Sequence, residues 1–598
     1  MINVDDLKLL PYGESDYMKI RNENKYYVDK THFIKTIERK GSFLFFIRPR
    51  RFGKSLLLST LSCYYDILKK NDFNHLFEET YIHKTPTPNR HSYLILKFDF
   101  STINSEPDKI EESFNLNVRN TIDDFIQKYK EFLIDNFEEF KQKIQVAKTA
   151  SDMLDTLTKQ FKNLGNPIYV IIDEYDNFAN TLVSSYGENL YKSMTQGEGF
   201  FRAFFHVLKG ATNGEPAPVA RIFITGVSPI TLTEITSSFN IARNISLDHD
   251  INEMVGFTNQ ETETMLNYYS QSGLIPPATQ ENMAIMKEWY NGYRFSQKTQ
   301  IELFNSTQIL YYINHYLLNS EPPTELIDQN LRIDYHKLRY LIIIGQKENS
   351  ALNGNFSKLK EIIENGAIDS KLVGGFPLHE LTNTENFVSL LFYFGLLTIS
   401  GTNPNDTLKL SIPNETVKRL YYDYFKDIYR ETNVFSIDMD KYMKLISGLA
   451  FERQWQPLFS FLTEKMANSM GLRDLISGEK AIQAFLNVYL GLTNLYIIHT
   501  EKELNKGYAD LIMEPFLALF PAIRYSYIIE IKYIPRNQGV SKKERASQAE
   551  VKRLRQEAEE QLKKYGMDEK FHKTIGKTTL VKLVFIFKGH NMEYMGEC

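Results

Sequence analysis

Two stretches of this chain place charged and polar side chains where phosphate chemistry needs them. The first is Arg48-Pro49-Arg50-Arg51-Phe52-Gly53-Lys54-Ser55. It follows an apolar run, Phe43 to Ile47, that reads as a buried strand, and it leads into Ser55 to Leu61, whose composition suits a helix. A strand, a tight loop and Gly-Lys-Ser at a helix start can bind phosphate. The helix N-terminus offers unpaired N–H groups and partial positive charge, Lys54 can reach β- and γ-phosphates, and the Ser55 hydroxyl can ligate Mg²⁺. The general motif has glycine five residues before Gly53, where this chain has Arg48.

The second stretch lies near the end of the chain, with Asp510 followed by Glu530-Ile531-Lys532. Glu530 and Lys532 are two apart on the apolar run Tyr525 to Lys532, so on a strand their side chains emerge on one face. A charged pair there is costly unless it is exposed or paired. Asp510, ending an adjacent strand, can stand beside them. The carboxylates of Asp510 and Glu530 with the carbonyl of Ile531 make a hard-cation donor set suited to Mg²⁺. Such a metal polarises a phosphoryl oxygen and acidifies a bound water, while Lys532 positions that water or steadies developing charge. Glu479, on a helix from Gly478 to Tyr489, is placed to complete the metal shell or hold it through water.

Several elements must position these residues. After the phosphate-loop candidate comes a second apolar run, Tyr93 to Asp99, and then a helical pattern from Ile110 to about Gln160 that supplies the crossover parallel strands need. Ile168 to Ile172 then forms an apolar strand ending in Asp173 and Glu174. Parallel sheets are buried on both faces and bind ligands at the carboxyl ends of their strands. Asp173 would therefore share Mg²⁺ with Ser55, and Glu174 would orient or deprotonate an attacking water. A third run, Arg221 to Ser228, offers Thr225 or Ser228 as a γ-phosphate sensor, and Arg243 is a further charge-stabilising candidate. The opening segment, Leu10 to Thr31, reads as ordinary polar and aromatic structure. From Thr258 to about Ile344 the pattern is helical, with an aromatic turn from Trp289 to Phe295 expected to serve packing. About Gln346 to Ile437 mixes helix with short strands and shows no chemistry of its own.

Composition bounds the answer. With 598 residues, 42% hydrophobic and 24% charged, the chain has the mix of a soluble globular protein and is too long for a single core. A net charge of -4 excludes a uniformly basic nucleic-acid binder but allows a local basic channel. Cys63 and Cys598, the only two cysteines, build neither a disulfide framework nor a zinc site, which favours a reducing, cytoplasmic setting. The longest apolar run, Val388 to Ile399, is too short to span a bilayer and reads as a buried helix or strand pair. The run Lys542-Lys543-Glu544-Arg545 reads as a solvated, salt-bridged face.

These residues resemble a known family, the AAA-ATPase-like proteins that carry a C-terminal PD-(D/E)XK nuclease-like domain. The resemblance rests on Leu10-Pro11-Tyr12-Gly13, Tyr27-Val28-Asp29-Lys30-Thr31, the Arg48 to Ser55 block and Asp173-Glu174. It continues through Thr225-Gly226, Gly256-Phe257-Thr258, Trp289-Tyr290-Asn291-Gly292-Tyr293 and Ile412-Pro413-Asn414-Glu415. The family's phosphate loop itself reads Arg-Pro-Arg-Arg-Phe-Gly-Lys-Ser, so Arg48 departs from the general motif and agrees with the family. The resemblance implies ATP and Mg²⁺ as cofactors, with Arg51, Phe52, Gly53, Lys54, Ser55, Leu56, Asp173 and Thr225 binding nucleotide. In the C-terminal region, Glu479, Asp510, Glu530 and Lys532 match the metal and catalytic positions of the nuclease core. Gln561 and Tyr565 resemble a second recurrent pair lining its active site or substrate groove.

The implied fold class is α/β. It comprises a P-loop, AAA-like parallel-sheet NTPase domain over residues 1–257, a helical lid over 258–345, a connector over 346–437 and a PD-(D/E)XK nuclease-like domain over 438–598. The implied function is a nucleotide-controlled, Mg²⁺-dependent nuclease acting on nucleic acid, DNA favoured over RNA, in mobile-element or phage-defence biology. The alternative is an NTP-dependent switch or scaffold whose nuclease-like domain binds without cleaving. A processive motor, which would assemble as a homo-oligomer, is a third reading.

Overall fold

The computed structural model describes residues 7–104, 106–132, 137–162, 165–177, 199–230, 239–277, 280–331, 354–377, 380–381, 383–404, 406–431, 438–468, 478–517, 519–535 and 548–598. Residues Met1–Ile362 and Gly366–Thr416 form one compact unit, and Ile363–Asn365 with Val417–Cys598 form a second. The basic run Lys542 to Arg545 lies outside the described residues.

The first unit is built on five strands: β1 (Phe43–Ile47), β2 (Leu94–Asp99), β3 (Ile168–Asp173), β4 (Val219–Gly226) and β5 (Arg243–Asn244). Their order is β2-β3-β4-β1-β5, and every pairing is parallel. All six residues of β3 are buried, as a strand covered on both faces requires. β4 lies between β1 and β3, with Ile47 opposite Gly226 and Ile172 opposite Ile224. That register brings the end of β1, Asp173 and Thr225 to one edge of the sheet. The periodic segment becomes helices Ile110–Lys128, Phe137–Val146 and Ala150–Phe161.

Helices Asn259–Ser270, Gln280–Tyr290 and Ser306–Asn319 follow the sheet. Thr258 caps the first, its hydroxyl accepting from the Glu261 N–H while Glu261 reaches back to the Thr258 N–H. Trp289, Tyr290, Tyr293 and Phe295 are all buried, so the aromatic turn serves packing. Strands β6 (Ala367–Ser370), β7 (Thr398–Thr402) and β8 (Leu408–Ser411) make a small antiparallel sheet in the order β6-β8-β7. The apolar run at Val388 to Ile399 divides between helix Thr384–Tyr393, buried on all sides from Asn386 onward, and the start of β7.

Two stretches far apart in sequence meet in this unit. The Asn414 side-chain amide donates to the Asn291 carbonyl at 2.7 Å, and the Thr416 hydroxyl donates to the Trp289 carbonyl at 2.7 Å. Gly292, at φ +92°, lies so close that a Cβ there would come within 2.2 Å of the Pro413 carbonyl oxygen. This explains the glycine on both counts, left-handed backbone and close approach.

The second unit has strands β9 (Tyr496–Leu504), β10 (Gly507–Pro515), β11 (Tyr525–Ile534), β12 (Thr579–Lys588) and β13 (Asn591–Glu597) in the order β13-β12-β11-β10-β9. β11 and β12 are parallel and the other pairs antiparallel. Helix Glu479–Leu490 precedes β9, and helix Gln548–Tyr565 makes the crossover from β11 to β12. The apolar run Leu580 to Phe587 lies within β12. The structure adds β13 outside it, a half-buried edge strand whose polar–apolar alternation covers only Asn591 to Tyr594 before Met595 breaks it.

Replacing Gly292 with alanine should therefore cost roughly 1–3 kcal/mol of stability, read as a lower melting temperature in calorimetry. An unchanged melting profile would contradict the packing of this turn on Pro413.

Candidate functional site

The first unit's site is built around the loop that leaves β1. Lys54 opens helix Lys54–Tyr65, with Gly53 at its N-cap in a left-handed conformation, φ +96°. The Lys54 ammonium is buried and donates to the carbonyls of Arg48 and Pro49, both at 3.0 Å. Burial pushes its pKa down, against the opposing charges of Glu174, Asp173 and Asp176. A lysine so held is a cation kept at the mouth of its own loop.

Arg48, at the position where the general motif has glycine, is 1% exposed. Its guanidinium donates to the carbonyls of Ile47 at 3.0 Å and Ser246 at 2.5 Å, and it lies over the rings of Phe46 and Phe295 at 4.6 and 4.2 Å. The residue is thus a structural post at the root of the loop. Around it, Pro49 touches the position a Cβ of Gly395 would take, at 2.8 Å, and the Phe52 ring meets Tyr293 and Phe295 edge-on at 4.9 and 5.5 Å.

At the end of β3, Asp173 is buried and its carboxylate accepts from the Thr225 hydroxyl at 2.7 Å and from the Glu174 N–H at 3.0 Å. Thr225 therefore spends its hydroxyl on orienting Asp173. Glu174 adopts a left-handed φ of 49°, and burial raises its pKa, with Lys54 and Arg50 opposing. A carboxyl raised in this way is suited to exchanging a proton with water. Ser228 is buried, and its N–H, with that of Val227, donates to Asp176 at 2.5 and 3.1 Å. Asp176 escaped the sequence reading, although it follows Asp173 by three residues. Gly226 makes room for it, since a Cβ there would come within 2.4 Å of the Asp176 carboxylate. Arg243 is 55% exposed and pairs with Asp248 at 2.8 Å, on the short strand β5.

A cavity of about 470 Å³ opens beside the loop, lined by Arg50 to Leu57 and by Glu174 and Asn177. That is the size of a small-molecule pocket. Its other wall is the opening segment, including Tyr26, Tyr27, Val28, Lys30 and Thr31, which the sequence reading took as structurally ordinary. Lys30 on that wall is tied to Glu261 at 2.7 Å.

The second unit gathers Asp510, Glu530 and Lys532. The ladder between β10 and β11 runs through Leu511 opposite Ile529 and stops one residue short of an Asp510–Glu530 pair. There the Asp510 carboxylate accepts from the Ile531 N–H at 2.7 Å. Lys532 donates to Glu530 Oε1 at 2.8 Å. Glu530 is 1% exposed, and its Oε2 has no hydrogen-bond partner among the described residues. Burial, then the charge of Glu530, pushes Asp510 up to about 8. Burial also raises Glu530, with Lys532 opposing. For Lys532, burial works toward a lower pKa, but the hydrogen bond and charge of Glu530, with Asp510 and Glu479, carry it above the usual value.

Glu479, raised by burial, acts on this group through its charge and makes no hydrogen bond to it. Tyr565 is raised by burial, then by the charges of Glu530 and Asp510, with Lys532 and a hydrogen bond to Gln561 opposing. Among the described residues no group of three His, Cys, Asp or Glu side chains is gathered for a metal. Two carboxylates, Asp510 and Glu530, stand together here, and a buried carboxylate oxygen without a partner among the described residues is a ligand of the kind a hard cation takes. Glu514, further along β10, shows the contrast. His499 and Lys502 bond its carboxylate at 2.9 and 2.8 Å, and although burial works upward, these partners bring its pKa below the usual value.

With this geometry in view, residues 11–236 match the family model of a predicted AAA-ATPase, and residues 477–597 match that of the PD-(D/E)XK nuclease superfamily. The chain thus carries an AAA-ATPase-like domain followed by a PD-(D/E)XK nuclease-like domain, α/β in both. A curated protein of Azotobacter chroococcum mcd 1, named "Uncharacterized protein in vnfD 5′region", is 25% identical over 331 residues, 54% of this chain. The chain spans 56% of that relative's length. Among solved structures, that of the Aeropyrum pernix ORC2 protein in ADPNP–ADP complexes aligns over 72% of this chain and 98% of its own, at 12% identity and a TM-score of 0.29. Among the described residues no helix is long and apolar enough to cross a membrane.

The raised Asp510 pKa fixes a pH dependence. An unfolded aspartate titrates near 4 and the folded one at about 8, so the metal-free fold binds this proton tightly and loses the associated stability as pH rises through that window. Asp510→Asn, which keeps an oxygen for the Ile531 N–H, should melt higher than the wild type by roughly 1–2 kcal/mol in EDTA at pH 9. The gain should vanish at pH 4. A difference independent of pH would contradict the buried carboxylate.

Proposed function

We propose that the first unit binds and hydrolyses ATP with Mg²⁺, and that its nucleotide state controls Mg²⁺-dependent phosphodiester cleavage by the second unit, on DNA in preference to RNA. The observation that carries the nuclease reading is the buried oxygen of Glu530, without a partner among the described residues, beside Asp510 and Lys532. Two carboxylates crowded in low dielectric, one of them incompletely hydrogen-bonded, are an arrangement that a divalent cation relieves.

In this reading Asp510, Glu530 and the Ile531 carbonyl hold Mg²⁺. When bound, the metal supplies Lewis-acid polarisation of the phosphoryl oxygen and a more acidic water. Lys532, kept protonated by Glu530, steadies the charge that develops on the attacked phosphate. Glu479 adds negative charge near the metal, and Gln561 and Tyr565 line the substrate side. In the first unit Lys54 would leave the Arg48 and Pro49 carbonyls for the β- and γ-phosphates, Ser55 and Asp173 would hold Mg²⁺, and Glu174 would take the proton of the attacking water. Arg51, Phe52, Gly53 and Leu56 contribute loop and helix N–H groups. A cytoplasmic setting, a role in mobile-element or phage-defence biology and assembly into a homo-oligomer belong to the same reading, the first two supported by the two-cysteine composition and the resemblance respectively.

Purified protein incubated with plasmid, linear duplex, single-stranded DNA and RNA in Mg²⁺ or Mn²⁺, with and without ATP, tests this. Cleavage is expected, with the Lys532→Ala rate down at least about 100-fold. Lys54→Ala should abolish ATP binding and any effect of ATP on cleavage. Cleavage undiminished in Lys532→Ala would overturn the site; no cleavage of any substrate with ATP binding intact would favour a switch or scaffold that binds without cutting.

A further inference from the structure

The phosphate loop of this chain has residues at its tip that do not form a phosphate cradle by themselves. Arg51 sits at φ +68°, a left-handed conformation that costs a non-glycine residue energy unless its surroundings impose it. Its carbonyl accepts three hydrogen bonds from the start of helix Ser306–Asn319: from the Ser306 hydroxyl at 3.1 Å, the Thr307 hydroxyl at 3.0 Å and the Thr307 N–H at 3.3 Å. The next carbonyl, that of Phe52, accepts from the Gly256 N–H at 2.9 Å. Gly256, at φ +80°, leaves only 3.0 Å between an added Cβ and the Phe52 ring.

In a trans peptide the C=O and the following N–H point to opposite sides of one plane. Pinning the Arg51 carbonyl on Ser306 and Thr307 turns the Phe52 N–H away from them, and pinning the Phe52 carbonyl on Gly256 turns the Gly53 N–H the other way. Neither N–H has an acceptor among the described residues. Successive free N–H groups around left-handed residues form an anion-binding concavity. Where other loops rely on glycine, this one is held in shape from outside.

We infer that Ser306 and Thr307 are positioning residues for phosphate binding: by fixing the Arg51 carbonyl they present the Phe52 and Gly53 N–H groups to the β-phosphate of a nucleoside di- or triphosphate. The inference rests on the nucleotide-binding reading of the cavity. It goes beyond it in assigning control of the loop to two hydroxyl residues more than 250 positions away, |i−j| being 255 and 256.

The test is the affinity of the full chain for ATP, ADP and AMP by calorimetry, for the wild type, Ser306→Ala/Thr307→Val and Thr307→Ser. The double variant is expected to bind ATP and ADP about tenfold more weakly, to bind AMP as the wild type does, and to fold, with Thr307→Ser close to wild type. Unchanged ATP and ADP affinity in a folded double variant would overturn the inference. So would an equal loss for AMP, which would mean a collapsed pocket. If the double variant does not fold, the single Thr307→Val and Thr307→Ser pair decides by the same comparison. A wild type that binds no nucleotide would overturn the underlying reading, and this inference with it.

Discussion

A charge taken out of water must be paired, hydrogen-bonded or neutralised, and both units of this protein keep their chemistry inside that constraint. In the first unit the buried Lys54 ammonium donates to two main-chain carbonyls of its loop, and the Arg48 guanidinium donates to carbonyls through its terminal nitrogens while its Nε has no partner among the described residues. Burial lowers the Lys54 pKa against the charges of Glu174, Asp173 and Asp176, and its hydrogen bonds go to the carbonyls of Arg48 and Pro49. In the second unit the constraint is left unsatisfied. Glu530 has one oxygen on Lys532 and one with no partner among the described residues, while Asp510 is bonded through the Ile531 N–H. Glu514, on the same strand as Asp510, has His499 and Lys502 both bonded to its Oε2, and these partners bring its pKa below the usual value.

The two sheets bring these groups together by different means. In the first, parallel register aligns strand ends, so the loop after β1, Asp173 and Thr225 share an edge with no long side chain needed to bridge them. In the second, the antiparallel pair β10–β11 ends its ladder just before Asp510 would face Glu530, and the divergence frees the Ile531 N–H for Asp510. Fold and site are linked at that point, because continued pairing would use this N–H in the sheet and leave Asp510 without its bond.

Much of this was legible in the sequence. Unbroken apolar runs ending in Asp173-Glu174 or containing Glu530-x-Lys532 disclose strand and face together, because a charge inside such a run needs a reason. What stayed hidden depends on tertiary partners. Arg48 reads as a departure from a glycine motif, and only its carbonyl and aromatic neighbours reveal a post. The segment from Tyr26 to Thr31 carries no local sign of lining a cavity formed with a loop twenty residues later. Ser306 and Thr307 are unremarkable at a helix start, and the alternation of β13 is only four residues long, Asn591 to Tyr594. Asp176 had a weak signal, a third acid after Asp173-Glu174, which makes sense once Gly226 is seen to admit its carboxylate.

The central claim is that Asp510 and Glu530 hold a divalent cation. Calorimetric titration of Mn²⁺ and Mg²⁺ into the nucleotide-free protein, compared with Asp510→Asn and Glu530→Gln, addresses it without requiring turnover or a known substrate. The account predicts a binding event in the wild type that disappears in both variants while each remains folded. Metal binding retained unchanged in the two variants, or absent from the wild type, would contradict it.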